Sequence, residues 1–329
     1  MKLLILSAQD VVDALPMAEA IEGMKTAFAQ LSIGKTTVPL RSHMDVPTYQ
    51  GVSLVMPAYL HETGDMAVKL VSVFADNPKH GLPVINGVVL VLDVMTGLPL
   101  AMMNGAALTA IRTGAASGAA TDLLARTNAR TVAIFGSGVQ ARTQLEAVCA
   151  VRPIDLVWLY SPDKAQAEQF ALEMAGRGRV PTTILIADTP TQAVHDADII
   201  CTATSSTVPV FAGSDLKPGA HINAIGAFRP TDRELDTETV RRALVIIDER
   251  AAMWAEAGDL VIPLQAGEIT ESHIYAELGE IVAGVKAGRT SDEQITLFKS
   301  VGNAVQDAVA AGIVLRNAAA RGSGTTVHV

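Results

Sequence analysis

The stretch ARTVAIFGSGVQARTQLEAVCAVRPIDLVWLYSPD, residues 129–163, decides the fold. Its apolar run 131–135 is too short for a helix and leads directly into the segment GSGVQA, residues 136–141. A helical stretch to residue 151 and a second apolar run at 156–160 follow. This order predicts a strand, a tight turn, a helix and a second strand, which is the context that gives a G-x-G-x-x-A pattern its meaning.

The residue types of the turn suit a dinucleotide pyrophosphate. Gly136 permits a tight turn, Gly138 lets the backbone approach the phosphates, and Ala141 lets the helix pack closely on the strand. The N-terminus of the helix then offers N–H groups and a favourable dipole to the phosphates. We therefore predict that Gly136, Ser137, Gly138, Val139 and Gln140 bind the cofactor.

The end of the second strand is where the adenosine ribose is read, and an acidic residue there is typical of NAD. The sequence has Tyr160-Ser161-Pro162-Asp163 at this point, followed by Lys164. The small Ser161 leaves room for a 2′-phosphate, although Asp163 is near enough to reach a ribose hydroxyl. The cofactor is expected to be NADPH or NADH, with NADPH modestly favoured.

Length and composition bound the class of protein. A chain of 329 residues with 49% hydrophobic residues is long enough for two domains with buried cores. The formal net charge of −9 argues against nucleic acid and anionic membrane surfaces as partners. With only two cysteines, no disulfide framework is expected. Neither a signal peptide nor a membrane-spanning segment is evident, so a cytoplasmic protein is expected.

Downstream of the turn, further short strands are predicted at 183–187, 199–201, 221–225 and 244–247. Together they predict an α/β fold with a Rossmann doubly wound parallel sheet. The hydroxyl-rich loop that includes Thr202, Ala203 and Thr204 follows a strand, at the edge where such sheets bind ligands. Helices are expected from about residue 291 onward, residues 303–320 among them, and 322–329 reads as a frayed polar tail.

Three other groups of residues have simpler predictions. No histidine has metal-ligand spacing, so no metal site is expected, and His221 is predicted to be solvated or at a strand end. The acids between Asp232 and Glu238 look like a solvated helix start. Both cysteines are expected to be packing residues.

Two cations in the N-terminal part stand in unusual surroundings. Lys69 lies in an apolar strand, where an unpaired charge is costly, and Arg112 is the one charge in the middle of the small-residue helix 104–124. Arg41 falls in an extended segment, 38–44. Arginine binds carboxylates through two parallel hydrogen bonds, so Arg112 is either a helix-surface residue or a clamp for a small carboxylate.

With these residues assembled, the chain resembles the ornithine cyclodeaminase and mu-crystallin family over nearly its whole length. The matching segments, in order, are VKL at 68–70, GLP at 81–83, DVMTGLP at 93–99, LTAIRTGA at 108–115, GSGVQAR at 136–142, NAIG at 223–226, EAGD at 256–259 and FKSVG at 298–302.

The resemblance implies a Rossmann domain at 119–304 and a second α+β domain, 1–118 with 305–329, that binds substrate and forms a homodimer. It implies that Arg41, Lys69 and Arg112 hold the carboxylate of an amino acid or cyclic imino acid, with Lys69 and Arg112 catalytic. Gly302 is expected to approach the nicotinamide and substrate. Thr113, Ala224 and Gly226, together with the loop residues Thr202, Ala203 and Thr204 and with Ser161, complete the expected cofactor site.

One departure from the family's pattern bears on the reaction. Ornithine cyclodeaminases carry an aspartate soon after the Asn-Ala-x-Gly segment, and here Phe228 stands in its place. A phenyl ring cannot bind a second ammonium group or take a proton, but it suits the methylene face of a ring. Phe228 is therefore a substrate-binding candidate, and cyclodeamination is disfavoured.

The segments AMMNG at 101–105 and GAFRP at 226–230 resemble most the imine-reducing group of the family. The expected activity is NAD(P)H-dependent reduction of cyclic ketimine carboxylates, Δ1-pyrroline-2-carboxylate to L-proline and Δ1-piperideine-2-carboxylate to L-pipecolate. The alternatives are an ornithine cyclodeaminase-type enzyme or a hydroxyproline lyase or dehydratase, an alanine dehydrogenase, and a non-catalytic NADP-binding protein. Lys69 is either a carboxylate ligand or a proton donor.

Overall fold

A computed structural model describes all residues, 1–329, and the chain divides into two compact units. The first unit is Met1–Arg112 with Ala304–Val329, and the second is Thr113–Asn303. The first change of unit falls within one long helix, α3 (Gly105–Leu124).

The second unit is built on an eight-stranded sheet in which every pairing is parallel. Its strands are β8 (Thr131–Phe135), β9 (Leu156–Tyr160), β10 (Ile184–Ile186), β11 (Ile199–Thr202), β12 (His221–Ala224), β13 (Ala243–Ile247), β14 (Ile274–Glu277) and β15 (Ile295–Lys299). Its helices are α4 (Val139–Val151), α5 (Lys164–Met174), α6 (Pro190–Val194), α7 (Thr237–Arg242), α8 (Arg250–Glu256), α9 (Gly258–Gln265) and α10 (Leu278–Val282).

The strand order β10-β9-β8-β11-β12-β15-β13-β14 places the start of the pattern at the centre of the sheet. The chain runs from β8 outward to β10 and then returns to β11 on the other side of β8. Two separate hydrophobic clusters, one including Phe135 and the other Phe170, lie against this sheet. The predicted doubly wound α/β fold is confirmed, with its topological switch point between β8 and β11.

The segment before the last helix differs from the prediction. Residues 295–299 form a strand between β12 and β13 instead of part of a helical run. All five residues of β15 are buried, Lys299 among them, so the strand reads as a short apolar run without the alternation of a half-exposed strand.

The first unit contains a mixed sheet and four helical segments. Its strands are β1 (Lys2–Leu6), β2 (Thr36–Thr37), β3 (Ser42–Val46), β4 (Gly51–Leu60), β5 (Met66–Phe74), β6 (Ile85–Leu92), β7 (Pro99–Asn104) and β16 (Thr325–His328). Its helices are α1 (Ala8–Ala14), α2 (Met17–Ser32), the start of α3, and α11 (Ala304–Arg321).

Helix α11 packs on β4, β5 and β6, and it also packs against α2. The sheet order is β16-β1-β7-β6-β5-β4-β2, with β3 also paired to β4. The predicted frayed tail is wrong, because β16 pairs antiparallel with β1 along Lys2↔His328 to Ile5↔Thr325. No helix of the chain is long and apolar enough to cross a membrane.

Candidate active site

The turn between β8 and α4 has the geometry that its glycines predict. Gly136 has φ +101°, and a Cβ there would lie 2.5 Å from the carbonyl oxygen of Ala203. Gly138 is the N-cap of α4, and no atom lies within 4 Å of where its Cβ would be. Ala141 is fully buried. The turn is therefore closed against β11 at Gly136 and open at Gly138, as a backbone that receives a pyrophosphate must be.

The end of β9 is connected to this turn by a hydrogen bond between the hydroxyls of Ser137 and Ser161, 3.1 Å apart. Asp163 caps α5 by accepting hydrogen bonds from the backbone N–H and the side-chain amide of Gln166, at 3.1 and 2.9 Å. The ammonium of Lys164 lies 3.2 Å from Asp188 on the protein surface. The acid expected near the ribose is thus engaged in capping.

The loops that follow β11 and β12 are held together by one buried carboxylate. Glu234 accepts hydrogen bonds from the hydroxyl of Thr202, from both the N–H and the hydroxyl of Thr204, and from the N–H groups of Gly226 and Ala227, at 2.7–3.2 Å. A Cβ at Gly226 would lie 2.3 Å from the carbonyl oxygen of Thr204. The cofactor candidates Thr202, Thr204 and Gly226 therefore share a single rigid support.

That support continues into the neighbouring strands. The N–H groups of Glu234 and Leu235 donate to Asp259, whose other oxygen lies 2.8 Å from the ammonium of Lys299. Lys299 also donates to the carbonyl oxygen of Ala227, at 2.6 Å. The expectation that the acids near 232–238 are solvated is wrong for Glu234, which is fully buried. Lys299 compensates the buried acidic pair, as a buried charge requires.

Asp248, at the end of β13, fixes the loop that follows β15. It accepts hydrogen bonds from the hydroxyl of Ser300 and from the N–H groups of Val301 and Gly302, at 2.7, 3.0 and 2.9 Å. Gly302 has φ +84°, a conformation that favours glycine. Burial of Asp248 raises the pKa of its carboxyl group, and these donors oppose the rise.

The remaining cofactor candidates of this unit lie around the same sheet edge. The carbonyl oxygen of Thr113 accepts from the side-chain amide of Gln144 at 3.3 Å, and Ala203 donates its N–H to Phe135 at 2.9 Å. Ala224 ends β12, and Val139 is 66% exposed in the first turn of α4. The side-chain oxygen of Gln140 is buried and accepts no hydrogen bond.

The first unit brings Lys69 and Arg112 together around an acid. The ammonium of Lys69 lies 3.1 and 3.3 Å from the two carboxylate oxygens of Asp307, and Nε of Arg112 lies 3.1 Å from Oδ1. Arg112 also donates from Nη1 to the side-chain oxygen of Gln306. These four side chains, which we call the Lys69 cluster, are all buried. Arg112 is therefore a buried residue in an ion-pair network, and the helix-surface interpretation is excluded.

Burial lowers the pKa of Lys69 to about 8, and the positive charges of Arg112 and Arg41 lower it as well, whereas Asp307 opposes the shift. Arg41 is half-buried just before β3, so its extended segment begins later than the predicted 38–44. Its effect on Lys69 places its charge in the neighbourhood of the cluster. The three predicted cations are thus electrostatically coupled in the first unit.

Phe228 and Gly302, the other two predicted substrate residues, belong to the second unit. Phe228 is 48% exposed, and the guanidinium of Arg229 lies over its ring at 5.8 Å from the centroid. A half-exposed ring of this kind remains available for contact with an apolar ligand face.

Two buried acids that contact the predicted site residues are missing from the sequence prediction. Asp307 lies in the first turn of an Ala/Val-rich helix, and Glu234 lies in a segment with several acids. The signal for Asp307 is its position: an isolated acid in an apolar helix requires a buried counter-charge, and Lys69 and Arg112 are two cations that could supply it. Glu234 carries no comparable signal, because it is one of four acids within seven residues, and the other three are half-buried or exposed.

The parallel sheet and the glycine turn define an α/β protein of the dinucleotide-binding class, and its first unit contains a buried cluster of Lys69, Arg112, Gln306 and Asp307. The model of the ornithine cyclodeaminase/mu-crystallin family matches residues 1–322. The chain belongs to this family.

Relatives and solved structures of the family agree over the full length. A Δ1-pyrroline-2-carboxylate reductase of Bacillus cereus is 39% identical over 327 residues, which cover 99% of this chain and 100% of that protein. The structure of Thermococcus litoralis Δ1-pyrroline-2-carboxylate reductase in complex with NADH and L-proline matches with a TM-score of 0.94 and 44% identity, covering 98% of this chain and 100% of that one. An archaeal alanine dehydrogenase dimer with bound NAD matches with a TM-score of 0.92 and 33% identity, covering 100% and 99%.

Proposed function

We propose that the protein is a nicotinamide-dependent reductase that converts Δ1-pyrroline-2-carboxylate to L-proline, and the six-membered homologue to L-pipecolate. The observation that carries the proposal is the Lys69 cluster, in which Lys69 and Arg112 are buried together around one acid, with the charge of Arg41 acting on the same lysine. A protein that only binds a dinucleotide has no need for such a set. The activities of the B. cereus and T. litoralis relatives support the same reaction.

The second unit supplies the residues that would hold the cofactor. Gly136, Ser137, Gly138, Val139 and Gln140 would receive the pyrophosphate at the start of α4, and Ser161 would face the ribose. Thr113 and the loops of Thr202–Thr204, Ala224–Gly226 and Gly302 would border the nicotinamide. When bound, the reduced nicotinamide supplies a hydride for C2 of the ring imine.

The side chains of the substrate site have distinct tasks. Arg112 and Arg41 would bind the carboxylate, and Lys69 would lie beside the ring nitrogen. Phe228 would contact the ring methylenes. Holding C2 in reach of the hydride accounts for most of the rate acceleration, because a fixed geometry replaces a bimolecular encounter.

We assign NADH as the preferred cofactor, with NADPH accepted less well. Lys164, which follows Asp163 at the start of α5, is already paired with Asp188, and Arg142, which donates to the carbonyl oxygens of Ser137 and Gly138, is paired with Glu173. A 2′-phosphate at the end of β9 would therefore meet cations that acids already engage. The solved relative that contains NADH supports this order, although the small Ser161 still favours tolerance of NADPH.

We also propose that the protein is a homodimer that uses the face of the first unit's sheet opposite to α11. Val55, Leu70 and Val88 are cross-strand neighbours on β4, β5 and β6, and they are 40%, 44% and 37% exposed. A row of exposed apolar residues across three strands is typical of an interaction surface. The dimer reported for the alanine dehydrogenase relative supports it.

A cytoplasmic location is consistent with two buried free cysteines.

The test is NADH and NADPH oxidation with Δ1-pyrroline-2-carboxylate and with Δ1-piperideine-2-carboxylate. We expect turnover with both rings, higher kcat/KM with NADH, and a loss of at least about 100-fold in kcat/KM for Arg112→Ala, because a charge-assisted bidentate contact is removed. Arg316→Ala, which removes an arginine of α11 that pairs with Asp65 instead, is the matched control and keeps most of the activity.

The alanine dehydrogenase relative is the observation that makes a second reaction worth testing, so pyruvate with ammonium is included in the same assay. Reductive amination of pyruvate with higher kcat/KM than either ring would replace the proposal by an alanine dehydrogenase. If the protein binds the cofactor but oxidises neither NADH nor NADPH with any of these substrates, a lyase or a non-catalytic protein would be favoured.

A further inference from the structure

Asp307 is the anion of the Lys69 cluster, and it belongs to α11, far along the chain from the cations that it contacts. It accepts two hydrogen bonds from Lys69 and one from Arg112, and the residue is 1% exposed. A carboxylate in this place competes with a substrate carboxylate for the same cations. Its presence in a site for anions therefore needs an explanation other than substrate binding.

The charges around Lys69 supply that explanation. Arg112 on α3 and Arg41 before β3 are positive, and Asp307 on α11 is the one negative group among those that act on Lys69. The cross-strand neighbours of Lys69, Met56 on β4 and Val89 on β6, carry no charge. Without Asp307, the buried amine would face two cations and no anion, and it would lose its proton at a lower pH.

Gln306 and Asp307 accept hydrogen bonds from different nitrogens of Arg112. Nε and Nη1 of Arg112 are engaged by Asp307 and Gln306, which leaves three of the five N–H donors, one on Nη1 and two on Nη2. These donors can still bind a carboxylate. The side-chain nitrogen of Gln306 is buried and makes no hydrogen bond within the protein, so it is a further donor for a ligand.

We propose that Asp307 is a positioning residue that keeps Lys69 as an ammonium group and directs it to protonate the imine nitrogen, while Arg112 and Arg41 hold the substrate carboxylate. The inference rests on the proposed reductase function. It selects the proton-donor role for Lys69 and leaves carboxylate binding to the arginines.

Hydride transfer to C2 and proton transfer to the nitrogen together reduce the imine. The hydride brings two electrons to C2, and the π electrons of the C=N bond become a lone pair on nitrogen. That lone pair takes a proton from Nζ of Lys69, which gives the secondary amine of the product and a neutral lysine. The N–H bond of Lys69 breaks as the N–H bond of the product forms, and water returns a proton to Nζ before the next turnover.

The direct test measures the pKa of Lys69 in the ligand-free protein by competitive acylation with acetic anhydride across pH, quantified by mass spectrometry. We expect a midpoint near pH 8 in the wild type and a midpoint about 1–3 units lower in Asp307→Asn, because an opposite charge at hydrogen-bonding distance has that effect. The labelling needs neither cofactor nor substrate, so it stands even where the proposed reaction fails.

The kinetic test is the pH profile of kcat/KM, which reports ionisations of the free enzyme and free substrate. The alkaline limb moves to lower pH in Asp307→Asn by the same amount as the labelling midpoint, while the ionisation of the imine substrate is common to both proteins. Lys69→Arg keeps the ion pair but offers no transferable proton, and it loses kcat with little change in KM.

Two further variants separate this role from a structural one. Asp65→Asn removes another buried acid that pairs with α11, through Arg316, and we expect lower stability with the alkaline limb unmoved. Asp307→Glu keeps the negative charge and the wild-type limb but lowers kcat. An unmoved limb and labelling midpoint in Asp307→Asn would overturn the proposal, as would full activity of Lys69→Arg. If Asp307→Asn does not fold, a displaced limb in Asp307→Glu has the same consequence.

Discussion

His221 is a single buried histidine whose protonation links stability to pH. It begins β12, is fully buried, and its Nδ1 lies 2.9 Å from the hydroxyl of Thr296. Burial, and next to it the positive charge of Arg289, lowers its pKa to about 3 from 6.5. The strand-end prediction for this residue is right, and the solvated one is wrong.

The pKa of His221 is about 3 in the folded protein and 6.5 in the unfolded chain, so the two states bind a proton in different pH ranges. Between pH 3 and 6.5 the unfolded chain binds a proton at this position and the folded protein does not, so stability falls as pH falls through that window. Each pH unit within this window lowers the free energy of unfolding by about 1.4 kcal/mol. We expect urea unfolding to show that the wild type loses about 2.5 kcal/mol more than His221→Gln between pH 7 and pH 4.5. His195→Gln, at an exposed histidine, should keep the wild-type pH dependence; an equal loss in His221→Gln would contradict the assignment.

Sequence identifies buried, paired charges when their chemistry is unusual for the surrounding residues. Lys69 in an apolar strand and Arg112 in a small-residue helix are anomalous within ten residues on either side, and the structure pairs both. Asp307 and Glu234 depend on contacts that only the folded chain creates, since Asp307 meets Lys69 across 238 residues of sequence. Their local sequence suits an ordinary first turn and an acidic surface segment.

At the scale of elements, the β8–α4 turn makes a prediction that separates folding from ligand binding. Gly136→Ala forces a side chain into φ +101° and against the backbone of Ala203, so we expect a loss of about 1–3 kcal/mol in the free energy of unfolding. Gly138→Ala has φ −81° and open space, so it should fold with a Tm near that of the wild type and bind NADH at least about tenfold more weakly.

The two measurements are thermal unfolding and NADH fluorescence titration on the same preparations. Gly322→Ala tests the general effect of replacing a glycine with positive φ, because no atom lies within 4 Å of its Cβ position and it is remote from the turn in sequence. Wild-type NADH affinity in Gly138→Ala would show that the pyrophosphate does not approach this residue.

Elements were predicted correctly where flanking turn residues and periodicity agreed, as for β8, α4, β9 and α3. The prediction missed β15 because a buried five-residue strand does not alternate between buried and exposed residues, and because it stands shortly before helix α11. β16 failed because its exposed polar residues gain their order from pairing with β1, at the opposite end of the chain. In both cases the determining partner is distant in sequence.

At the scale of the whole molecule, the proposed dimer is testable through the row Val55, Leu70 and Val88. An Asp at position 55 would place a charge within an apolar interface, where desolvation is costly and no cation is within the row. Val55→Asp is therefore expected to run as a monomer of 34.4 kDa in size-exclusion chromatography with light scattering, where the wild type has twice that mass.

Leu172→Asp is the matched control, because Leu172 is 79% exposed on α5 of the other unit and should leave the mass unchanged. Because the net charge of −9 on each chain adds repulsion between copies, an apolar contact must provide the attraction, and the wild-type dimer should persist at low ionic strength, where that repulsion is least screened. A Val55→Asp protein that keeps the wild-type mass would place any dimer contact elsewhere on the surface.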